Sequence, residues 1–159
     1  MSREIVTALS GNFERSHGLY LQFMEQCPDK LWARTFGGWP LWQHVLHTYA
    51  CIDLFTLQAG GQAVPLPVAE DLIALARVGS ESVDKAPALD FMKVMKARAD
   101  AYIAGLDDSM LAKKNEGFSG RRNMEFSHAQ TMSILIGHAF YHFGTLDAAL
   151  REEGLKGIM

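Results

Sequence analysis

Two long stretches of this chain carry no formal charge, Thr35 to Ile52 and Phe126 to Leu146. The second is about long enough to cross a bilayer, so its makeup separates a membrane span from a helix covered by other protein. It contains Ser127, His128, Gln130, Thr131, Ser133, His138, His142 and Thr145, a polar load that hydrocarbon would penalise. The reading is therefore no membrane partner. The missing charges point to helices buried on more than one side.

The 159 residues are 48% hydrophobic and 21% charged, an ordinary globular composition. A chain of this length buries about two-thirds of its unfolded surface as one domain, so a single domain is expected over residues 1–159. A net charge of −3, with no Lys/Arg-rich run, lacks the footprint that a phosphate backbone demands, and no nucleic-acid partner is expected. Cys27 and Cys51 lie far apart and form no C-x-x-C pair, which suits reduced thiols. The opening MSREIVTALS has charges where a signal peptide would need its apolar core, so the expected location is the cytoplasm.

Helical periodicity organises the chain. Over residues 2 to 26, Val6, Leu9, Phe13, Tyr20 and Phe23 draw one apolar stripe. That helix stops at Cys27-Pro28, because proline disfavours a helical residue before it. After a connector of turn residues, Phe36-Gly37-Gly38-Trp39, Pro40 is expected in the first turn of a second helix running to about Gln58. A short extra helix is expected near Ala69 to Arg77, and a third long helix from Lys85 to Gly105. Residues 107–126, with Lys113, Lys114, Arg121 and Arg122 among Gly and Asn, read as an exposed loop. A capping box, Ser127-His128-Ala129-Gln130, opens the fourth long helix, which closes at Gly154. The expected fold is all-α, a four-helix bundle with one short extra helix. The uncharged second and fourth helices suggest a homodimer that buries them in an isologous interface.

The chemistry concentrates in histidines. His138 and His142 stand one turn apart on the fourth helix, with Cβ atoms about 5–6 Å apart, so both rings can reach one ion. They share a seam with Leu135, Ala139 and Leu146, which turns them inward. A buried pair of neutral imidazoles needs partners, and a metal satisfies both; the competing reading is two hydrogen-bonded core histidines. A third ligand must come from another helix. His44 and His47 lead, and periodicity does not choose between them; His17 and His128 are weaker candidates. Cys51 follows His47 by one turn and could approach the ion, though a buried structural thiol is the simpler reading. Asp53 reads as a helix-surface carboxylate in preference to a partner orienting a ligand histidine. Met92, Met95, Met110, Met124 and Met132 read as core filling.

Three stretches carry a likeness to a known family: Cys27-Pro28-Asp29-Lys30-Leu31; Gly38-Trp39-Pro40-Leu41-Trp42-Gln43-His44-Val45-Leu46-His47; and His138-x-x-x-His142-x-Gly144-x-Leu146-Asp147-Ala148-Ala149-Leu150-Arg151. The chain resembles the DinB/YfiT-like superfamily of metal-binding four-helix bundles. In that family a tryptophan precedes the first metal histidine by eight residues, as Trp39 precedes His47, so the resemblance selects His47 over His44. It carries the other two ligands onto His138 and His142. The chain departs from the family in Phe143-Gly144-Thr145, where Arg-Gly-Gln is common after the last histidine, and in Pro40, where Ser or Thr often caps the helix.

The resemblance implies a divalent ion, Zn or Ni first with Fe or Mn as alternatives, held by three histidines with a coordination position open, the pattern of catalytic zinc. Thiol-dependent S-transferases and a maleylpyruvate isomerase occur in the superfamily. The leading activity it implies is conjugation of a low-molecular-weight thiol to a small-molecule electrophile, with hydrolysis by a metal-activated water as the other reaction such a site would support. The alternative is a non-enzymatic metalloprotein in which the ion braces two helices of a dimeric scaffold.

Overall fold

The computed structural model describes residues 2–81 and 83–159; Met1 and Ser82, which fall within the expected domain, lie outside the described residues. Helix α1 spans Glu4–Gln26 and buries Val6, Phe13, Tyr20 and Phe23, the stripe read from the sequence. Its start is held from afar, since the Asp108 carboxylate accepts from the Ile5 and Val6 amides at 3.1 and 3.0 Å, where a helix N-terminus favours negative charge. It ends where Cys27 turns extended before Pro28. A single turn, α2 (Asp29–Trp32), follows.

The turn-rich connector is a miniature antiparallel hairpin, β1 (Thr35–Phe36) paired with β2 (Trp39–Pro40). Gly37 and Gly38 form its tip at φ +56° and +96°. A two-residue hairpin turn with both centres at positive φ favours glycine there. Helix α3 (Leu41–Thr56) begins immediately after it, so Pro40 sits one residue before the first helical turn rather than within it.

Helix α3 answers the question raised by its missing charges. It packs against α5 (Lys85–Ala104), α7 (His128–Glu152), the short α4 (Glu70–Ile73) and α6 (Glu116–Arg122). Twelve of its residues are buried, among them Trp42, Gln43, His44, Leu46 and Ile52. Most of its uncharged surface is therefore covered by the chain's own elements, while His47, Ala50, Cys51 and Leu54 stay half-buried along one side. Helix α5 keeps the wet face expected of it, with Met92, Met95, Ala99 and Ile103 buried opposite Lys93 and Asp100.

Three expectations are corrected. Residues 107–126 are no exposed loop: a 3-10 turn (Asp108–Met110) leads into α6, and Asn115, Gly117, Phe118 and Ser119 are buried. The Asn115 amide donates to the Phe55 carbonyl and to Thr131 Oγ1, each at 3.1 Å, while its oxygen caps α6 at the Phe118 amide. Gly117 lies so close to α3 that a Cβ there would meet the Leu57 carbonyl at 2.2 Å. Asp53 is no surface carboxylate, being 9% exposed, 3.3 Å from the Arg98 guanidinium and accepting from the Val64 amide at 2.6 Å. Those partners pin the loop after α3 and turn the carboxylate to structural use. Met124 is no core filler but 61% exposed, whereas Met92, Met95 and Met132 are buried.

The capping box at the start of α7 forms as read: the Gln130 amide donates to Ser127 Oγ, and the Ser127 amide to Gln130 Oε1. The helix ends two residues before Gly154, which takes φ +73°. The architecture is thus an all-α helical bundle, with α1, α3, α5 and α7 as its long members. Among the described residues no helix is long and apolar enough to cross a membrane.

Candidate metal centre

Two helical turns face each other across the seam between α3 and α7. From α3 come His44, His47 and Cys51; from α7 come His138 and His142. Steps of three and four residues put each set on one helix face, and antiparallel packing brings the sets together. His47 Nε2 lies 3.1 Å from His138 Nε2. The His142 ring packs against both, with centroids 4.7 Å from His47 and 4.7 Å from His138. Cys51 Sγ lies 3.8 Å from His47 Nε2. Ligand atoms of His47, Cys51 and His138 all fall within 4.8 Å of one another, whereas His142, expected as the third histidine ligand, is not in that group and has its Nδ1 3.1 Å from His44 Nδ1. His47, Cys51 and His138 are half-buried and His142 is buried, so the cluster sits at the edge of the core.

The tautomer of His47 follows from its neighbour. Its Nδ1 is 2.6 Å from the Ile73 carbonyl, and a carbonyl only accepts, so Nδ1–H donates and Nε2 carries the lone pair. That carbonyl is placed by α4 and the turn after it, which a buried side chain of α3 ties down. Gln43 donates to the Leu72 and Arg77 carbonyls at 2.8 and 2.7 Å and accepts from the Gly79 amide at 3.0 Å. Trp39 adds a bond from its indole N–H to the Leu75 carbonyl.

His44 occupies the deeper end of the seam. Its Nε2 is 2.9 Å from the Phe36 carbonyl and its Nδ1 is 3.1 Å from His142 Nδ1. His17 and His128 lie apart from the cluster, hydrogen-bonded to Tyr49 and Tyr102. Asp53, committed to Arg98 and Val64, also takes no part.

Burial dominates the electrostatics. Together with a smaller push from the neighbouring imidazoles, it lowers His138 to about 4 and His142 to about 3. His44 and His47 are also held below the ordinary histidine range by desolvation. The rings are neutral at pH 7, the form that ligates metals. Burial raises the Cys51 thiol to about 12, so without a cation beside it the sulfur keeps its proton.

The donors suit a divalent ion. Two nitrogens bound tetrahedrally at about 2.0–2.1 Å stand about 3.3 Å apart, close to the 3.1 Å between His47 and His138. One of the two is held with its lone pair toward the other, and the carbonyl behind it is the arrangement that orients ligating histidines. Periodicity alone does not separate His44 from His47; each has a backbone carbonyl behind it, and they differ in that His47 Nε2 faces His138 and Cys51 while His44 Nδ1 faces His142. Cys51 carried one legible signal, its four-residue step from His47.

Compared with known proteins, residues 12–146 match the profile of the DinB superfamily, a span that includes all of α3 and the part of α7 that carries His138 and His142. No curated protein matches the chain, and no solved structure does.

Proposed function

Because the chain belongs to the DinB superfamily, we propose that His47, His138 and His142 hold one divalent metal ion between α3 and α7, and that the site activates a low-molecular-weight thiol for transfer to an electrophile. The observation that carries this reading is the 3.1 Å convergence of His47 and His138 nitrogens from two helices, with the His142 ring against both. Held by three neutral ligands, Zn or Ni would present an open coordination position that lowers the pKa of a thiol. The chain's own contribution is orientation. Ile73 fixes the His47 ring, Phe55 meets the His138 ring edge-on at 5.5 Å, and Tyr141 stands edge-on to His142 at 5.0 Å. Tyr141 is 76% exposed, which leaves an aromatic face beside the cluster for an apolar electrophile. The reading places the protein in the cytoplasm, where Cys27 and Cys51, both free thiols, stay reduced.

The test of this activity is thiol consumption with an electrophilic aromatic halide or epoxide, using protein loaded with Zn or Ni. The reading requires turnover that is lost on chelation and in His138→Ala. Equal rates with and without metal would remove the thiol-transfer assignment.

A second reading is favoured by Cys51, whose sulfur stands 3.8 Å from His47 Nε2. As a fourth ligand it would close the coordination sphere, the pattern of structural sites. The ion would then brace α3 to α7 in a non-enzymatic protein. In this reading the functional unit is a homodimer, joined where Ala50 and Leu54 of α3 and Ile134, Gly137 and Tyr141 of α7 lie half-buried or exposed.

A further inference from the structure

We propose that His44 is a positioning residue for the metal site: it holds His142 in the tautomer whose Nε2 is free to ligate. The inference rests on the reading of His142 as a ligand, and it concerns a residue that touches no metal itself.

Phe36 O has no proton to give, so His44 Nε2, at 2.9 Å, must be the donor. A neutral imidazole carries one N–H, which leaves His44 Nδ1 with a lone pair. His142 Nδ1 lies 3.1 Å from that lone pair, and the bond forms only if His142 carries its proton there. His142 Nε2 is then unprotonated. The opposite arrangement would set a ring lone pair against a carbonyl lone pair at a site where His44 is 2% exposed, leaving buried acceptors unsatisfied. A doubly protonated His44 would be a buried charge, and its ring neighbours are Trp39, edge-on at 5.8 Å, and His142 at 5.4 Å, neither of them a carboxylate.

The same logic governs both helices. His47 donates directly to the Ile73 carbonyl; among the described residues, His142 reaches a backbone carbonyl through His44. The Phe36 carbonyl is itself set by the β1–β2 turn, whose Gly37 is wedged against α7. A Cβ on Gly37 would meet Thr145 Cγ2 at 3.0 Å and come within 3.7 Å of His44 Nε2. Phe36 of β1, His44 and His142 thus form one hydrogen-bonded line from the hairpin, across the start of α3, to the ligand on α7.

Two readouts test this, neither of them activity. In metal-free protein, nitrogen NMR of the imidazoles should show His142 protonated at Nδ1; protonation at Nε2 would overturn the proposal. Zn affinity, measured by competition with a chelator, should fall about 10–100-fold in His44→Phe, which keeps the ring volume and removes the acceptor. His44→Asn, whose amide oxygen can accept near the place of Nδ1, should restore most of it. A folded His44→Phe that binds Zn as tightly as the unaltered protein would overturn the proposal, and if that variant does not fold, the tautomer of the unaltered protein decides. His142→Ala separates the two levels: unchanged Zn binding there would remove His142 from the ligand set, whereas loss there with none in His44→Phe would refute only the role of His44.

Discussion

The Nε2 atoms of His47 and His138 stand 3.1 Å apart although the residues are separated by 91 positions in the chain. Only the packing of α3 against α7 produces that approach. Its consequence is chemical: two desolvated imidazoles meet nitrogen to nitrogen, one of them with its other nitrogen already committed to the Ile73 carbonyl.

Cys51 separates an open site from a closed one. In protein loaded with Co(II) in place of Zn, three histidine ligands give no sulfur-to-cobalt charge-transfer band until a small thiol is added, and Cys51→Ser behaves alike. A band present without added thiol and lost in Cys51→Ser would instead establish the closed, structural site.

Acid should destabilise the metal-free protein before its carboxylates titrate. The folded chain holds His138 at about 4 and His142 at about 3, both below the ordinary value of 6.5, so the unfolded chain takes up protons first as pH falls. The stability these groups contribute is complete above pH 6.5 and is lost as pH drops through about 4 for His138 and about 3 for His142. Thermal melts across that window should show Tm falling. The double variant His138→Gln/His142→Gln should flatten the fall, and an unchanged slope would place the pH dependence elsewhere.

Gly117 tests the docking of α6 on α3. A Cβ at this position would lie 2.2 Å from the Leu57 carbonyl, a backbone atom that cannot swing aside. Gly117→Ala should cost about 1–3 kcal/mol, the usual penalty for overpacking, read from urea denaturation of the metal-free protein. Wild-type stability in that variant would contradict the close approach.

The same segment shows where local signals run out. Asn115 and Gly117 carry turn chemistry, so residues 107–126 read as loop. In the folded chain Asn115 bridges the Phe55 carbonyl, Thr131 and the start of α6, and glycine is there for lack of room. Nothing within that stretch announces either partner. The ends of α1 and α7 were legible because their causes are local: Pro28 follows one, and Ser127 and Gln130 open the other. His138 and His142 were legible because a one-turn step is a property of the helix alone. The role of His44 was not, since it depends on the Phe36 carbonyl from the hairpin and on a ring from α7. Asp53 was misread for the same reason, its partner Arg98 lying on α5.

The dimer reading predicts a mass of twice 17.6 kDa by light scattering at micromolar concentration. Tyr141, 76% exposed on α7, is the residue to alter. Tyr141→Glu should give a monomer with unchanged helicity, whereas a monomeric unaltered protein would remove the homodimer from the account.

The metal centre itself is tested most directly by elemental analysis of untagged protein, comparing the unaltered chain with His47→Ala and His138→Ala. The account predicts about one Zn or Ni per chain, lost in both variants while their helical content persists. No bound metal in the unaltered protein after incubation with Zn or Ni, or equal metal in all three, would contradict it and leave the histidines as hydrogen-bonded members of the core.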